Sequence, residues 1–413
     1  MKVLYAAIDQ EVPGTRGGSV HVTAVAEGLA ALGHEVHVLA SPGDGPFPAG
    51  PVRWIPMSPP FKANQLRWAR AGAVKRIAQQ LRPGVIMERY YNFGGEAILH
   101  ARAIGARAVL EVNAPVVDHP GSTKALVDRA LLVRPMQRWR ERLCAAADVI
   151  VTPSAAILPP GTPRAKVREL EWGADTVRFH PGAAGPLPFT PPAGTVAVFA
   201  GAFRSWHGAI HLARAARLLR ERGRRDIGVL FIGDGPELPA VRAEASGLDN
   251  VVFAGALPHD RMPAALASAH IGVAPFDLGA HKPLSLGFYW SPLKMFEYMA
   301  AGLPVVAPAV ARIPHLVEDG REGILYDPTG VPPEGGNYTG TGIPPEGGNY
   351  RGTGVPPEGG HLTDGGHAAA LANALERLTD ASLRTRLGAA ARQRAEREYS
   401  WAAHCRALSD AFQ

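Results

Sequence analysis

Apolar runs alternate along the chain with segments in which apolar residues recur every three or four positions. The run MKVLYAAI at residues 1–8 has the composition of a buried strand, and residues 20–33 have the spacing of a helix that ends at Gly33. Strand-like runs return at residues 34–41 and again at residues 147–154. Strands that alternate with helices in this way predict a parallel sheet covered by helices.

A segment rich in glycine and proline interrupts the alternation between about residues 171 and 195, and this composition is typical of a linker. The alternation restarts with TVAVFAGAF at residues 195–203 and continues through SPLKMFEYMAAGLPVVAP at residues 291–308. The sequence therefore predicts an α/β protein of two doubly wound, Rossmann-like domains that face a central cleft. Ligands of such sheets bind at the carboxyl ends of the strands.

Three copies of a twelve-residue repeat begin at Thr329: TGVPPEGGNYTG, TGIPPEGGNYRG and TGVPPEGGHLTD. Each copy has two prolines, several glycines and almost no apolar side chain, so the copies cannot stack into a solenoid. We expect an extended surface loop inserted at residues 329–364. A lid or a docking tag is the alternative.

Charge and cysteine content narrow the classes of partner and compartment. Residues 1–185 hold 22 of the 43 basic side chains and 15 of the 37 acidic ones, so the positive charge belongs to the first half. This excess indicates an anionic partner, such as a phosphorylated acceptor, a membrane surface or nucleic acid, unless it only reflects coding bias. The two cysteines, Cys144 and Cys405, form no disulfide framework and fit a reducing compartment. No apolar run approaches the length of a membrane span.

The segment at residues 291–308 keeps one charge of each sign, Lys294 and Glu297, in otherwise apolar surroundings. Ser291 suits a helix N-cap and Pro292 a first helical position, which places Lys294 in the first turn, where the helix dipole disfavours a cation. One interpretation is a local salt bridge. The other is a nucleotide site, in which Lys294 and the helix N-terminus hold phosphate and Glu297 accepts the ribose hydroxyls.

Three glycine-containing turns offer further candidates, each with a purely structural alternative. Gly17 and Gly18 open a helix, but the turn GTRGGSVH lacks the GxGxxG pattern of dinucleotide sites. GAFRSWHG at residues 201–208 places Arg204 and His207 after a strand, where an arginine can clamp a diphosphate. GDGPE, from Gly233, ends another strand. The sequence has no spacing typical of zinc or calcium ligands and no Asp-x-Asp pair.

Taken together, these motifs resemble those of family 4 glycosyltransferases, which are retaining enzymes of GT-B fold. The resemblance rests on RGGSVHVTAVAEGLAALGHEVHVLAS, ELEWGADTVRFHP, VFAGAFRSWHG, FIGDGPE, SPLKMFEYMAAGLPVVAP and the closing REYSW helix, and it spans nearly the whole chain apart from the repeats. It implies an acceptor-binding domain at residues 1–180 and a nucleotide-sugar-binding domain at 181–395. Residues 396–413 would form a helix that crosses back to the first domain.

The resemblance also implies the chemistry. The enzyme would be a retaining hexosyltransferase (EC 2.4), cytoplasmic or peripheral at the inner membrane face, that moves a sugar from a UDP- or GDP-sugar to a glycan, lipid-linked or small-molecule acceptor. It would need no cofactor and no metal, and it would bind no nucleic acid. A non-catalytic sugar- or nucleotide-binding scaffold and a GT-B-fold epimerase remain alternatives; the first is favoured by the departures from the family pattern.

Those departures are Tyr289 where the family has the first glutamate of an E-x7-E pair, His207 where it has lysine, and Asn113 where it often has histidine. The residues implied as catalytic are Arg204, Lys294 and Glu297. The residues implied in donor binding are Gly17, Gly18, Arg204, His207, Gly233, Tyr289, Pro292, Leu293, Lys294 and Glu297, and those implied in acceptor binding are Arg89, Tyr90, Tyr91 and Asn113.

Residues 122–143 combine six basic side chains with leucines, a methionine and a tryptophan. This pattern predicts a basic amphipathic helix. Such a helix could lie on an anionic membrane, but an ordinary solvated outer helix has the same pattern.

Overall fold

The structure, a computed structural model, describes residues 1–413 except 15, 120, 121, 281–284 and 330–363. The predicted repeat insert lies almost entirely outside the described residues. Two separate parallel sheets organise the described chain, which confirms the predicted pair of doubly wound domains.

The first sheet has seven strands in the order β3-β2-β1-β4-β5-β6-β7. Its strands are β1 (Lys2–Val12), β2 (Glu35–Pro42), β3 (Arg53–Pro56), β4 (Val85–Arg89), β5 (Arg107–Glu111), β6 (Val149–Thr152) and β7 (Val167–Glu169). Its helices are α1 (Gly17–Ala31), α2 (Ala71–Leu81), α3 (Ala101–Ile104), α4 (Thr123–Leu131) and α5 (Pro135–Ala146).

The second sheet has six strands in the order β10-β9-β8-β11-β12-β13. Its strands are β8 (Thr195–Ala200), β9 (Ile227–Ile232), β10 (Val251–Gly255), β11 (Ile271–Val273), β12 (Val305–Pro308) and β13 (Gly323–Tyr326). The helices that follow β7 are α6 (Ala209–Glu221), α7 (Leu238–Glu244), α8 (Met262–Ala267), α9 (Leu293–Ala300), α10 (Ile313–Leu316), α11 (Asp364–Arg377), α12 (Ala381–Glu398) and α13 (Trp401–Asp410).

Both faces of each sheet are buried, which explains the continuous apolar runs in the strands. Along β1, Val3 and Tyr5 pack into one hydrophobic cluster while Leu4 and Ala6 pack into the cluster on the opposite face. Successive side chains of a strand point to opposite faces, so a strand covered by helices on both sides must be apolar at every position.

The last helix, α13, returns to the first sheet. Ser400 caps it by accepting a hydrogen bond from the Ala403 amide at 3.1 Å, as the sequence suggested. Cys405 and Phe412 then join the hydrophobic cluster that covers β1, and a Cβ on Gly28 of α1 would collide with the Cys405 sulfur. The segment without strands between Glu169 and Thr195 contains the predicted domain boundary at residue 180; the boundary itself stays a prediction.

The segment predicted as one amphipathic helix at residues 122–143 forms two helices, so that prediction is wrong in its continuity. α4 ends at Leu131 and α5 begins at Pro135, with Leu132 and Arg134 in the left-handed backbone region between them. Proline suits the first turn of a helix but not its interior, so the break falls at Pro135.

Candidate functional site

The carboxyl ends of β8 and β9 meet at one edge of the second sheet. Gly201 follows β8 with φ of 142° and Gly233 follows β9 with φ of 130°. A Cβ on Gly233 would collide with the Gly201 carbonyl oxygen. Only glycine permits both this backbone conformation and this close approach, so the edge presents bare backbone to anything bound above it.

Lys294 extends from the first turn of α9 toward the same edge. Its ammonium nitrogen lies 4.2 Å from the centre of the Phe199 ring and 5.4 Å from that of Phe276. It is also 3.1 Å from where a Cβ on Gly201 would lie. Although the residue as a whole is partly exposed, its Nζ atom is buried and has no hydrogen-bond partner among the described residues. Burial lowers the pKa of Lys294 to about 7, against the opposing attraction of Glu297.

Glu297 lies one turn further along α9, and its carboxylate is mostly buried, with 12% of the side chain exposed. Its Oε1 is 3.2 Å from Nε2 of His259, in the loop that follows β10. The ion pairs of the described chain do not include one between Lys294 and Glu297, so the local salt bridge is not formed. His259 was not among the predicted residues; its only signal in the sequence is a position after a strand.

The loop at residues 201–208 places its two polar side chains differently. Arg204 is exposed, and its guanidinium lies 5.4 Å from the centre of the Trp206 ring. His207 is directed inward, and its Nδ1 lies 2.5 Å from the Ala202 carbonyl oxygen. Because a carbonyl only accepts hydrogen bonds, Nδ1 carries the proton and Nε2 is an acceptor.

Burial and the nearby charge of Lys294 lower the pKa of His207 to about 3. The side chain is therefore a neutral imidazole near neutral pH. In this tautomer Nε2 of His207 is an acceptor, and the part of His207 in donor binding stays a prediction. Lys294 is a cation in contact with the glycine edge.

Ser291, which precedes α9, is bonded to the linker and does not cap the helix. The Ser291 hydroxyl donates to Glu171 Oε2 at 2.7 Å and accepts from the Trp172 amide at 2.9 Å. Its predicted role as N-cap is therefore wrong, and Pro292 occupies that position, with Leu293 as the first helical residue.

Three other predicted donor residues have contacts with groups other than Lys294. Tyr289 packs against the core of the first domain and beside Trp290, with ring centres 5.3 Å apart. Gly17, which is exposed, and Gly18, which is half-buried, open α1, and Gly17 lies near Trp172 of the linker.

The first sheet carries a buried polar network at its own carboxyl edge, centred on Glu111. Tyr5 donates its hydroxyl to Glu111, and His21 is hydrogen-bonded to it through Nε2. Asn113 donates from Nδ2 at 2.8 Å, and Arg89 lies 3.8 Å away. These contacts hold the pKa of Glu111 well below its usual range despite burial. Arg89 and Asn113 are thus brought together by a carboxylate that was not predicted.

The two predicted tyrosines after β4 have different surroundings. Tyr90 is 6% exposed and belongs to the core of the first domain, and burial raises its pKa. Tyr91 is partly exposed, with its ring centre 5.9 Å from the guanidinium of Arg67. Of the two, Tyr91 offers a surface that a ligand could touch.

A cavity of about 680 Å³ opens beside this network, at the carboxyl ends of β1 and β2. Arg67, fully buried, bonds Asp9 at 2.8 Å and also pairs with Glu96, which fixes the Asp9 carboxylate at the cavity wall. Most of the lining side chains are polar: Asp9, Gln10, Glu11, Pro13, Gly14, Arg16, Ser19, Ser41, Asp44, Pro59, Lys62 and Asn64. Such a cavity suits a hydroxylated ligand.

Two further properties concern metals and membranes. The described residues include no group of three or more His, Cys, Asp or Glu side chains that could hold a metal ion. Within the described part of the chain, no helix has the length and apolar character needed to cross a bilayer.

Two family descriptions match the chain, one in each domain. "Glycosyltransferase Family 4" matches residues 15–158, and "Glycosyl transferases group 1" matches residues 194–334. The 2-deoxystreptamine glucosyltransferase of Streptomyces kanamyceticus is 30% identical over 226 residues, which cover 51% of this chain and 54% of that one. The D-inositol 3-phosphate glycosyltransferase of Acidothermus cellulolyticus is 27% identical over 363 residues, with 77% and 76% covered. The chain thus spans about half the length of the first relative and three quarters of the second.

Solved structures share the fold over the full chain. Sucrose-phosphate synthase from Thermosynechococcus elongatus superposes with a TM-score of 0.67 at 18% identity, covering 100% of this chain and 98% of that one. Anabaena HepE in complex with UDP and glucose gives a TM-score of 0.61 at 15% identity, with 99% and 98% covered. WaaG, a glycosyltransferase involved in lipopolysaccharide biosynthesis, gives 0.59 at 16% identity, with 99% and 98% covered.

Proposed function

As the chain belongs to the family 4 glycosyltransferases of GT-B fold, we propose that it is a retaining hexosyltransferase that uses a UDP- or GDP-sugar as donor. The acceptor is a glycan, a lipid-linked sugar or a small hydroxylated molecule, and the reaction needs no metal ion. Peripheral contact with an anionic membrane at the cytoplasmic face is part of this proposal, and nucleic acid is not among the proposed partners.

The buried, unpartnered amine of Lys294 is the observation that supports a diphosphate site most directly. An ammonium group between two aromatic rings, with no hydrogen-bond acceptor among the described residues, is costly to the folded protein. A diphosphate above Gly201 and Gly233 would complete it, because glycine backbone and the N-terminus of α9 leave room for phosphate oxygens. The arrangement is explained if the missing anion arrives with the substrate.

In the proposed reaction, the residues of the donor site stabilise charge. As the sugar leaves the donor, negative charge develops on the diphosphate, and Lys294 supplies a compensating cation in surroundings with little water. Arg204 lies in the exposed loop at the same edge and adds a second cation. Glu297, held by His259, accepts hydrogen bonds from the ribose hydroxyls. No side chain is assigned as a nucleophile.

The polar cavity at the first sheet supports a hydroxylated acceptor. Its wall includes Asp9, Gln10 and Asn64, which can bond hydroxyl groups, and its volume of about 680 Å³ is adequate for a small sugar or cyclitol. 2-Deoxystreptamine and D-inositol 3-phosphate, which appear in the relatives' names, are both polyhydroxylated rings. Arg89 and Asn113 lie at the same edge of the sheet, around Glu111.

Thermal unfolding with UDP, GDP, ADP, dTDP or NAD tests the donor site. A ligand that binds the folded state raises the unfolding midpoint. We expect a shift with one nucleoside diphosphate in the wild type and none in Glu297→Ala. The control is Glu318→Ala, which removes a glutamate that is 58% exposed in the same domain and should leave the shift unchanged.

The outcomes separate the proposal from a binding scaffold. No shift with any nucleotide would contradict the donor site. The second measurement is the release of nucleoside diphosphate from the nucleotide sugar in the presence of a panel of hydroxylated acceptors. A midpoint shift with no release for any acceptor would indicate a scaffold that binds nucleotides but does not catalyse transfer.

A further inference from the structure

The turn between α4 and α5 exposes a concentration of large apolar side chains. We call residues 123–146 the α4–α5 hairpin. The described chain exposes ten large hydrophobic side chains, and five of them lie in one eight-residue stretch of this hairpin: Leu126 (54%), Val127 (43%), Leu131 (54%), Leu132 (85%) and Val133 (57%). Scattered exposed leucines are ordinary, but a contiguous patch indicates a surface that something covers.

The hairpin is held in place by buried polar contacts. Asp128 turns inward and accepts hydrogen bonds from the amides of Met136 at 2.7 Å and Gln137 at 2.8 Å, at the start of α5. Arg140, 2% exposed, donates to the Val116 carbonyl at 2.6 Å and pairs with Asp118 at 2.9 Å. The apolar tip is therefore presented by an anchored scaffold.

The apolar tip is surrounded by arginines. Arg129, Arg134, Arg138 and Arg142 are all exposed, and none of them is in an ion pair within the described residues. Glu141 is the exposed acid of the hairpin, and Asp128 is used internally. Exposed leucines and valines flanked by unpaired arginines match a surface with anionic groups above an apolar layer.

The hairpin also contacts the loop that follows β4, which carries Tyr90 and Tyr91, two of the residues implied in acceptor binding. The Trp139 indole donates to the Gly94 carbonyl at 3.1 Å, and the Asn92 amide lies 3.8 Å from the Met136 sulfur. Both partners belong to the loop that follows β4, which also carries Tyr91. A surface that touched the hairpin tip would lie beside the edge of the first sheet.

We propose that the tip of the α4–α5 hairpin inserts its leucines and valines into an anionic lipid surface while its arginines contact the headgroups. A second copy of the chain is a poorer occupant, because paired tips would bring like charges together. Nucleic acid would leave the aliphatic side chains without a partner. This assignment rests on the proposed function, which includes contact with an anionic membrane, and it names the surface that makes the contact; vesicle binding does not require nucleotide binding, so the two can fail separately.

Co-sedimentation of the full chain with vesicles tests this surface. The vesicles are phosphatidylcholine alone and an equimolar mixture of phosphatidylcholine and phosphatidylglycerol. We expect binding to the anionic vesicles only, weakened roughly tenfold by the pair Leu132→Ser and Val133→Ser and by a similar factor in Arg134→Gln with Arg138→Gln. Added salt should weaken binding of the wild type.

Val177→Ser is the matched control. Val177 is 84% exposed, like Leu132 at 85%, but lies in the linker between the sheets, so this substitution should leave vesicle binding unchanged. The unfolding midpoint without ligand, measured on every variant, should stay close to that of the wild type and shows that each variant is folded. Equal binding to neutral vesicles, no binding to either kind, loss of binding in Val177→Ser, or a concentration-dependent dimer that the tip substitutions abolish would each overturn the proposal.

Discussion

Replacing Lys294 by methionine should make the ligand-free protein more stable while it removes nucleotide binding. Methionine keeps the length and flexibility of the side chain but carries no charge, so it fills the space between Phe199 and Phe276 with apolar atoms. A residue whose main role is structural would show the opposite behaviour, because its loss destabilises. The sign of the change therefore separates the two roles.

The size of the expected change in unfolding free energy follows from the pKa of the buried Lys294 amine. Burial lowers the pKa of Lys294 from 10.5 to about 7, and each unit corresponds to about 1.36 kcal/mol, so a protonated Lys294 costs the folded state about 5 kcal/mol. Between about pH 7 and pH 10.5 the unfolded chain binds the proton and the folded chain does not, so wild-type stability rises with pH in that window. Below about pH 7 the full cost applies.

Chemical denaturation from about pH 6 to about pH 9 measures this difference. We expect Lys294→Met to be more stable than the wild type by several kcal/mol at the acidic end, with the difference shrinking as pH rises. UDP or GDP, whichever binds, should stabilise the wild type more at the acidic end, because the diphosphate favours the protonated amine. The variant should show no such stabilisation. Lys75→Met, which removes an exposed lysine of α2, is the control and should change neither quantity.

A Lys294→Met variant that is less stable than the wild type at every pH would refute the reasoning. A difference in unfolding free energy between variant and wild type that does not depend on pH would also refute it, because the expected difference comes from a proton that the folded wild type binds more weakly than the unfolded chain does. Retained nucleotide binding in the variant would separate Lys294 from the donor site even if the stability change had the expected sign.

Three further substitutions test other parts of the site. Gly233→Ala should destabilise the second domain by at least about 1–3 kcal/mol, since its φ of 130° and the Gly201 carbonyl exclude a Cβ; the denaturation midpoint measures this. Glu111→Gln should cost about 3–5 kcal/mol at neutral pH; because the pKa of Glu111 is lowered, denaturation across pH should show this difference begin to shrink below about pH 4.5, where the unfolded chain takes up the proton, and end only in strong acid, where the folded carboxyl is protonated too. Glu297→Ala should lower kcat/KM roughly a hundredfold by removing ribose hydrogen bonds, and a normal rate would contradict its role.

The fold and one half of the site could be predicted because their signals are local. Strand runs, helical spacing and the glycine-rich linker follow from neighbouring residues, and they predicted both sheets. Lys294 and Glu297 were also recognisable, because two opposite charges in an apolar helix conflict with the local pattern. Conflicts of this kind are expected at functional sites.

The network at the first sheet could not be predicted, because its members are distant in sequence. Glu111 meets Tyr5 and His21 across separations of 106 and 90 residues. Each residue alone is an ordinary tyrosine, histidine or glutamate in a strand or helix. Only the parallel order of β1, β4 and β5 brings their carboxyl ends to one edge. The same applies to His259, because only its contact with Glu297 in the folded chain identifies it as a candidate site residue.

Ser291 shows how a correct local rule can fail when tertiary contacts compete for the same side chain. Serine before proline at the start of α9 favours a capping role, yet its hydroxyl is hydrogen-bonded to Glu171 and to the Trp172 amide. Trp172 in turn donates its indole proton to Asn113 at 3.0 Å. The start of the helix that carries Lys294 is therefore connected through the linker to the polar network of the first sheet. This connection replaces a side-chain cap on α9, whose Leu293 and Met295 amides donate instead to the Ser291 and Pro292 carbonyls at 3.0 and 2.8 Å. It thereby links the start of the helix that carries Lys294 to Asn113 at the edge of the first sheet.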